Sequence, residues 1–178
     1  KGRKLYGAPG TPPAVYAELR TRGAKRTVAY YAHYDGQPVT PSQWKSPPFV
    51  PTMRSGDTEV DWRAARAIDP EWRLYARGAS DDKVSVMAML AALDALKASG
   101  RKPGVNIKLF FDGEEEQGSP HLKDILVQNR ELLKADLWLI GDGPVHQSRR
   151  MQVVFGARGD RKSTRLNSSH TDISRMPS

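Results

Sequence analysis

The stretch VNIKLFFDGEEEQGS, from Val105 to Ser119, decides how this sequence folds. Val105–Phe111 is a short run dominated by apolar and β-forming residues, the pattern of a buried strand. Asp112 and Gly113 stop it with a turn signal. Glu114, Glu115 and Glu116 follow in a row. Like charges repel and raise one another's pKa, so three at the mouth of a buried strand cost stability unless a cation sits among them. A lone acidic triplet is ordinarily a solvated turn. The rest of the chain decides between the two.

Outward from this stretch, apolar strands alternate with helical patterns. On the N-terminal side, AVYAELR (Ala14–Arg20) alternates Val15, Ala17 and Leu19 against Tyr16 and Glu18, which predicts a half-buried strand. TVAYYAH (Thr27–His33) predicts a buried one, and RLYAR (Arg73–Arg77) a short one. Gly36–Asp69 is rich in Pro and Gly and reads as a long ordered loop. Asp81–Ser99 is the strongest helix: Val84, Met87, Ala88, Leu90, Ala91, Leu93 and Leu96 share a broad face, Ser80 or Asp81 can cap it, and Gly100 ends it. On the C-terminal side, His121–Leu133 predicts a second amphipathic helix, and DLWLIG (Asp136–Gly141) and MQVVF (Met151–Phe155) two further strands. This alternation defines the fold class as α/β, a mostly parallel sheet flanked by helices.

The polar residues then fall into a pattern. His33 and Asp35 follow one predicted strand, Asp81 and Asp82 another, Glu115 and Glu116 a third, and Asp142 a fourth. Ligands of open α/β sheets bind beyond the carboxyl ends of the strands. Each signal alone has a plain structural reading, as a turn, a helix cap or a satisfied histidine. Their recurrence at successive strand ends favours a shared site. Histidine and carboxylates without thiolate suit zinc or another first-row divalent ion. The chain has no cysteine, so any metal must be held by His, Asp and Glu.

AHYDGQP, ARGASDDK, GEEEQGS and IGDGP together resemble the successive motifs of the dinuclear zinc metallopeptidases. That family includes carnosinase-type dipeptidases, glutamate carboxypeptidase, aminoacylase, acetylornithine deacetylase and succinyl-diaminopimelate desuccinylase. PSQWKSPPF and VHQSRRMQVVFGARG look most like the dipeptidase branch. The resemblance covers Val15–Gly159. It implies metal-dependent hydrolysis of a peptide bond, or, in the deacylase branch, of an N-acyl amino acid.

By motif position, the resemblance implies two divalent ions, zinc with manganese or cobalt as substitutes. His33, Asp81, Glu116 and Asp142 would be metal ligands, with Asp81 bridging through a cis Asp81–Asp82 peptide. Asp35 would orient His33, and Glu115 would be the general base. Where the family commonly has DDKG, this sequence has DDKV, with Val84 at a position that is not a ligand. His121, His146 and His170 match no family motif; His121 and His146 read as loop or helix-surface residues, and His170 falls in the C-terminal tail. In the family, a late His completes the ligand set and an inserted domain supplies substrate contacts and a homodimer interface. Neither is expected within this sequence, so the fragment alone is expected to be a poor or inactive enzyme.

Asp160–Ser178 has no apolar period, and Asp160–His170 matches a translated sequencing adapter. The expected organisation is therefore a catalytic-domain part, residues 1–159, followed by a non-native tail, residues 160–178. The chain is basic, +8 overall, and the tail contributes Arg161, Lys162, Arg165 and Arg175 against Asp160 and Asp172. The remaining basic residues form no stripe along one helix, which argues against nucleic-acid binding. No apolar run approaches the roughly 18–20 residues that span a bilayer. There is no targeting signal at Lys1, where the N-terminus reads as cut. The compartment stays open, with the cytoplasm favoured over the periplasm.

Overall fold

The structure is a computed structural model that describes residues 2–143, 146, 148 and 150–154. The chain divides into two units, Lys1–Gly143 and Pro144–Ser178. In the second, His146 Nδ1 accepts hydrogen bonds from the Ser148 hydroxyl and backbone N–H, at 2.6 and 3.2 Å. Met151–Val154 are exposed and form no strand, contrary to the sequence expectation. A strand needs a partner for its backbone groups, and no ladder among the described residues includes this segment. Phe155 and the segment 160–178 lie outside the described residues.

The first unit is built on a five-stranded sheet. Its strands are β1 (Arg3–Leu5), β2 (Ala14–Leu19), β3 (Thr27–His33), β7 (Asn106–Asp112) and β8 (Leu137–Ile140). Their order is β1-β2-β7-β3-β8. β3 runs parallel to both its neighbours, β7 and β8, while β1 and β2 add an antiparallel wing. The sheet is therefore mixed, with its parallel part around β3. The short link from β2 to β3 does not bring β3 alongside β2, because β7 inserts between them.

Successive side chains of a strand point to opposite faces, and β3 shows what covers each. The Tyr30 hydroxyl donates to Ser85 O in α1 (Lys83–Ala98), at 3.2 Å. Tyr31 stacks on Phe110, which in turn meets Trp138 edge-on. On that second face, α2 (Leu122–Gln128) and α3 (Arg130–Leu133) close the core of Leu5, Ala14, Tyr16, Phe110, Ile125 and Leu133. The expected single helix is thus two. Asn129 separates them, and its amide donates to Ile125 O at 2.9 Å, taking up a carbonyl at the end of α2.

Two amphipathic faces differ from expectation. In β2 the buried residues are Ala14 and Tyr16, while Val15 and Leu19 are exposed. Tyr16 carries far more burial area than Ala17, and its ring sets the phase of the strand. In α1 the inward residues include Ser85, Val86, Met89, Leu93 and Leu96, while Val84, Met87 and Leu90 are exposed. That helix is apolar on most sides, so its pattern did not select one face.

The expected loop holds two strands, β4 (Thr52–Ser55) and β5 (Thr58–Glu59), which join the expected short strand β6 (Arg73–Tyr75) in a second, antiparallel sheet of order β5-β4-β6. β6 therefore precedes α1 without belonging to the main sheet. No described helix is long and apolar enough to cross a membrane.

Candidate metal centre

Because β3, β7 and β8 are parallel, their carboxyl ends share one rim. His33 ends β3 directly opposite Asp112, which ends β7. Asp142 follows β8, and Glu114–Glu116 follow β7. The fourth contribution arrives from the N-terminus of α1, which packs on β3 rather than extending a sheet strand. The Asp81–Asp82 peptide is cis, as the resemblance implied.

His33 is fully buried and stands at the middle of the cluster. Its Nδ1 lies 3.1 Å from Asp35 Oδ1, and its Nε2 lies 2.9 Å from Asp81 Oδ1. Its backbone N–H donates to Asp82 Oδ2 at 3.2 Å. Glu115 Oε2 and Asp142 Oδ2 each lie 3.9 Å from Nε2. Asp35 joins two loops, because its other oxygen accepts the Glu116 N–H at 3.0 Å. Glu116 Oε2 accepts from Gln37 Nε2 at 2.6 Å, while Glu116 Oε1 is buried and unpartnered.

The electrostatics are those of crowded carboxylates. Burial raises the Glu115 carboxyl above its ordinary pKa; nearby Asp142, Glu116 and Asp35 push it up and His33 pulls it down. Asp142 is raised likewise, by burial first and then by Asp82, Asp81 and Glu116, against the lowering effect of His33. For His33, burial disfavours the charged ring, but its hydrogen bond to Asp81 and the surrounding acids outweigh it, so its pKa is raised.

Two trios have ligand atoms within 4.8 Å of one another: His33, Asp82 and Asp142, and His33, Asp81 and Glu116. A divalent cation fits this donor set. It would give the orphaned Glu116 Oε1 a partner and relieve the repulsion among the acids. All residues expected at the site are brought together. Asp82, 3% exposed, joins them although its sequence position read as a helix start; the Asp-Asp doublet was the available signal.

The turn after β7 contains further polar residues that sequence reading did not place. Asp112 is buried and accepts from the Glu114 N–H, the Ser119 hydroxyl and the Tyr31 hydroxyl, at 3.1, 2.7 and 3.3 Å. Glu114 is not a solvated neighbour: it is buried and paired with His121 Nδ1 at 2.9 Å.

An α/β domain with a histidine among carboxylates at the ends of parallel strands is the build of a metal-dependent catalytic domain. Residues 29–173 match peptidase family M20/M25/M40, and the chain belongs to that family. It is 32% identical to human Beta-Ala-His dipeptidase over 84% of this chain and 27% of that protein. It is also 32% identical to the succinyl-diaminopimelate desuccinylase of Delftia acidovorans, over 85% of this chain and 36% of that one. A family M20 metallo-carboxypeptidase from Sulfolobus solfataricus superposes with a TM-score of 0.65 at 36% identity, over 84% of this chain and 30% of that one. Human carnosine dipeptidase 1 superposes at 0.62 with 31% identity, over 80% and 29%. The chain thus spans roughly a third or less of the length of these relatives.

Proposed function

We propose that the chain carries the metal-holding and proton-transferring residues of a hydrolase that cleaves the amide bond of a small peptide, in the manner of a dipeptidase. The observation that carries this reading is the buried, unpartnered Glu116 Oε1 beside a histidine ringed by Asp81, Glu115 and Asp142. Family membership and the dipeptidases among its relatives support it.

His33, Asp81, Asp82, Glu116 and Asp142 would hold two divalent ions, zinc or, in its place, manganese or cobalt. When bound, such a pair supplies a water of lowered pKa and polarises the substrate carbonyl. Asp35 orients the His33 ring through Nδ1, which leaves Nε2 directed at the other acids. Asp35 also fixes the Glu116 backbone, so one carboxylate holds two arms of the site in register. Glu115 is half-buried, near His33 but not hydrogen-bonded to it. It is free to accept a proton at Oε2 from an attacking water and return it to the leaving amine. Its raised pKa brings it nearer the operating pH of such a base.

The desuccinylase among the relatives favours a second reading, cleavage of an N-acyl amino acid by the same residues. The test has two parts. Zinc titration of this chain by calorimetry should show two binding events, both weakened by His33→Ala. Because the relatives are longer, hydrolysis is measured on the complete gene product, with dipeptides and N-succinyl amino acids as alternative substrates. Glu115→Gln should lower turnover by about 10²- to 10⁴-fold. Absence of zinc uptake, or full turnover in that variant, sinks the proposal; the preferred substrate decides between peptidase and deacylase.

A further inference from the structure

We infer that Glu114 and His121 are positioning residues for the metal-holding turn, an inference that rests on the metal-site reading above. Glu114 touches neither His33 nor the other acids of the cluster in any hydrogen bond, yet it is only 5% exposed. Both its oxygens face His121 Nδ1, at 3.1 and 2.9 Å. An ionised carboxylate only accepts, so the His121 Nδ1 must carry the proton.

The backbone of Glu114 is the hub of the turn. Its N–H donates to Asp112 Oδ1 at 3.1 Å. Its carbonyl accepts from the Gln117 and Ser119 N–H groups, at 3.1 and 2.8 Å. The turn closes through Gly118 and Ser119, both in the left-handed region at φ 82° and 48°. Glu115 and Glu116 lie inside this loop, so anchoring Glu114 fixes the direction from which both carboxylates leave the backbone.

His121 is itself anchored. A Cβ on Gly7 would stand 2.6 Å from His121 Cβ and 2.7 Å from its carbonyl oxygen, so the β1–β2 connection lies against it. Gln128 of α2 donates to Gly7 O at 3.3 Å and holds that connection in place. The path runs from the antiparallel wing through His121 and Glu114 to the metal-facing acids. Of the two ligand trios, only His33, Asp81 and Glu116 draws on this turn.

The prediction is an asymmetric effect. In zinc titrations of the chain, His121→Phe and Glu114→Leu should each weaken one of two binding events by about tenfold, the scale on which residues supporting ligands act. The other event should keep its wild-type affinity. His121→Asn, whose amide can donate in place of Nδ1, should restore the weakened event. The double variant His121→Phe/Glu114→Leu should lose no more than either single variant, since both break one contact. Unfolding of the metal-free chain is measured alongside; where His121→Phe does not fold, His121→Ala takes its place. Wild-type titration in the single variants, equal weakening of both events, or no rescue by Asn overturns the inference. A wild-type chain that takes up no zinc overturns the metal-site reading and this inference together, whereas wild-type uptake with unchanged variants overturns the inference alone.

Discussion

The hydroxyl of Tyr30 fills the space that a side chain on Gly141 would need, with Ser85 Cβ closing the same pocket 3.1 Å from it. Gly141 N–H also donates to Tyr31 O at 2.8 Å, which holds the end of β8 against β3. Gly141→Ala must therefore displace Tyr30 and its bond to Ser85 O. The expected cost is about 1–3 kcal/mol, the usual cost of overpacking. Urea unfolding measures it, and a midpoint equal to wild type would show that the tyrosine moves freely.

Lys108 places an ammonium group under α3. It is 8% exposed, and its Nζ donates to Leu132 O and Lys134 O at 2.7 and 2.6 Å. It thereby satisfies carbonyls that the end of a helix leaves open. Lys108→Met keeps the apolar stem and removes the donors. Stability should fall by about 1.5–3 kcal/mol, the range for hydrogen bonds to charged groups. Zinc affinity should stay unchanged, because the lysine lies at the opposite end of β7 from Asp112. A loss of zinc binding without loss of stability would contradict this division.

Crowded acids make the metal-free site a liability. Asp142 is held above its ordinary pKa by burial and by its acidic neighbours. A raised carboxyl pKa means stability present at acid pH and lost as pH rises through the folded value. At neutral pH, Asp142→Asn should raise the thermal midpoint of the metal-free chain while weakening zinc binding. Calorimetry with and without zinc reads both, and a lower metal-free midpoint in the variant would refute the repulsion.

Alkali should act through tyrosines buried against the main sheet. Tyr16 is raised above 10.0 by burial and then by Glu18, and Tyr30 by burial against a lowering bond from Ser85. In the unfolded chain these groups ionise at the ordinary value, so their contribution is complete below pH 10 and is lost as pH rises above it. Stability should fall with rising pH in that range, and replacing both by Phe should flatten the slope. Tyrosinate absorbance that rises well before unfolding would mean the rings are accessible.

β2, β3, β7 and β8 were legible because each is a short apolar run ended by a turn residue, and so was the gathering of the polar residues that follow them; β1, with Arg3 and Lys4, offered no such run. What was not legible depended on partners distant in sequence. The order β2-β7-β3 cannot be read from the adjacent segments Ala14–Leu19 and Thr27–His33. Two strands of the small sheet, β4 and β5, were hidden because they are short and every residue in them but Met53 is polar. Asp82 read as a helix start and Glu114 as part of an acidic turn because their partners, His33 and His121, lie 49 and 7 residues away in other elements.

The central place of β3 has a consequence for how the protein comes into being. His33 leaves the ribosome before both strands that flank β3, β7 following α1 and β8 being the last of the described strands. Until then β3 has no neighbour on either edge, and His33 meets none of Glu115, Glu116 or Asp142. An ion therefore finds neither full ligand trio on the nascent chain before Glu116 has been made. Capture by a full trio would follow release of the turn after β7, late in the synthesis of the described residues.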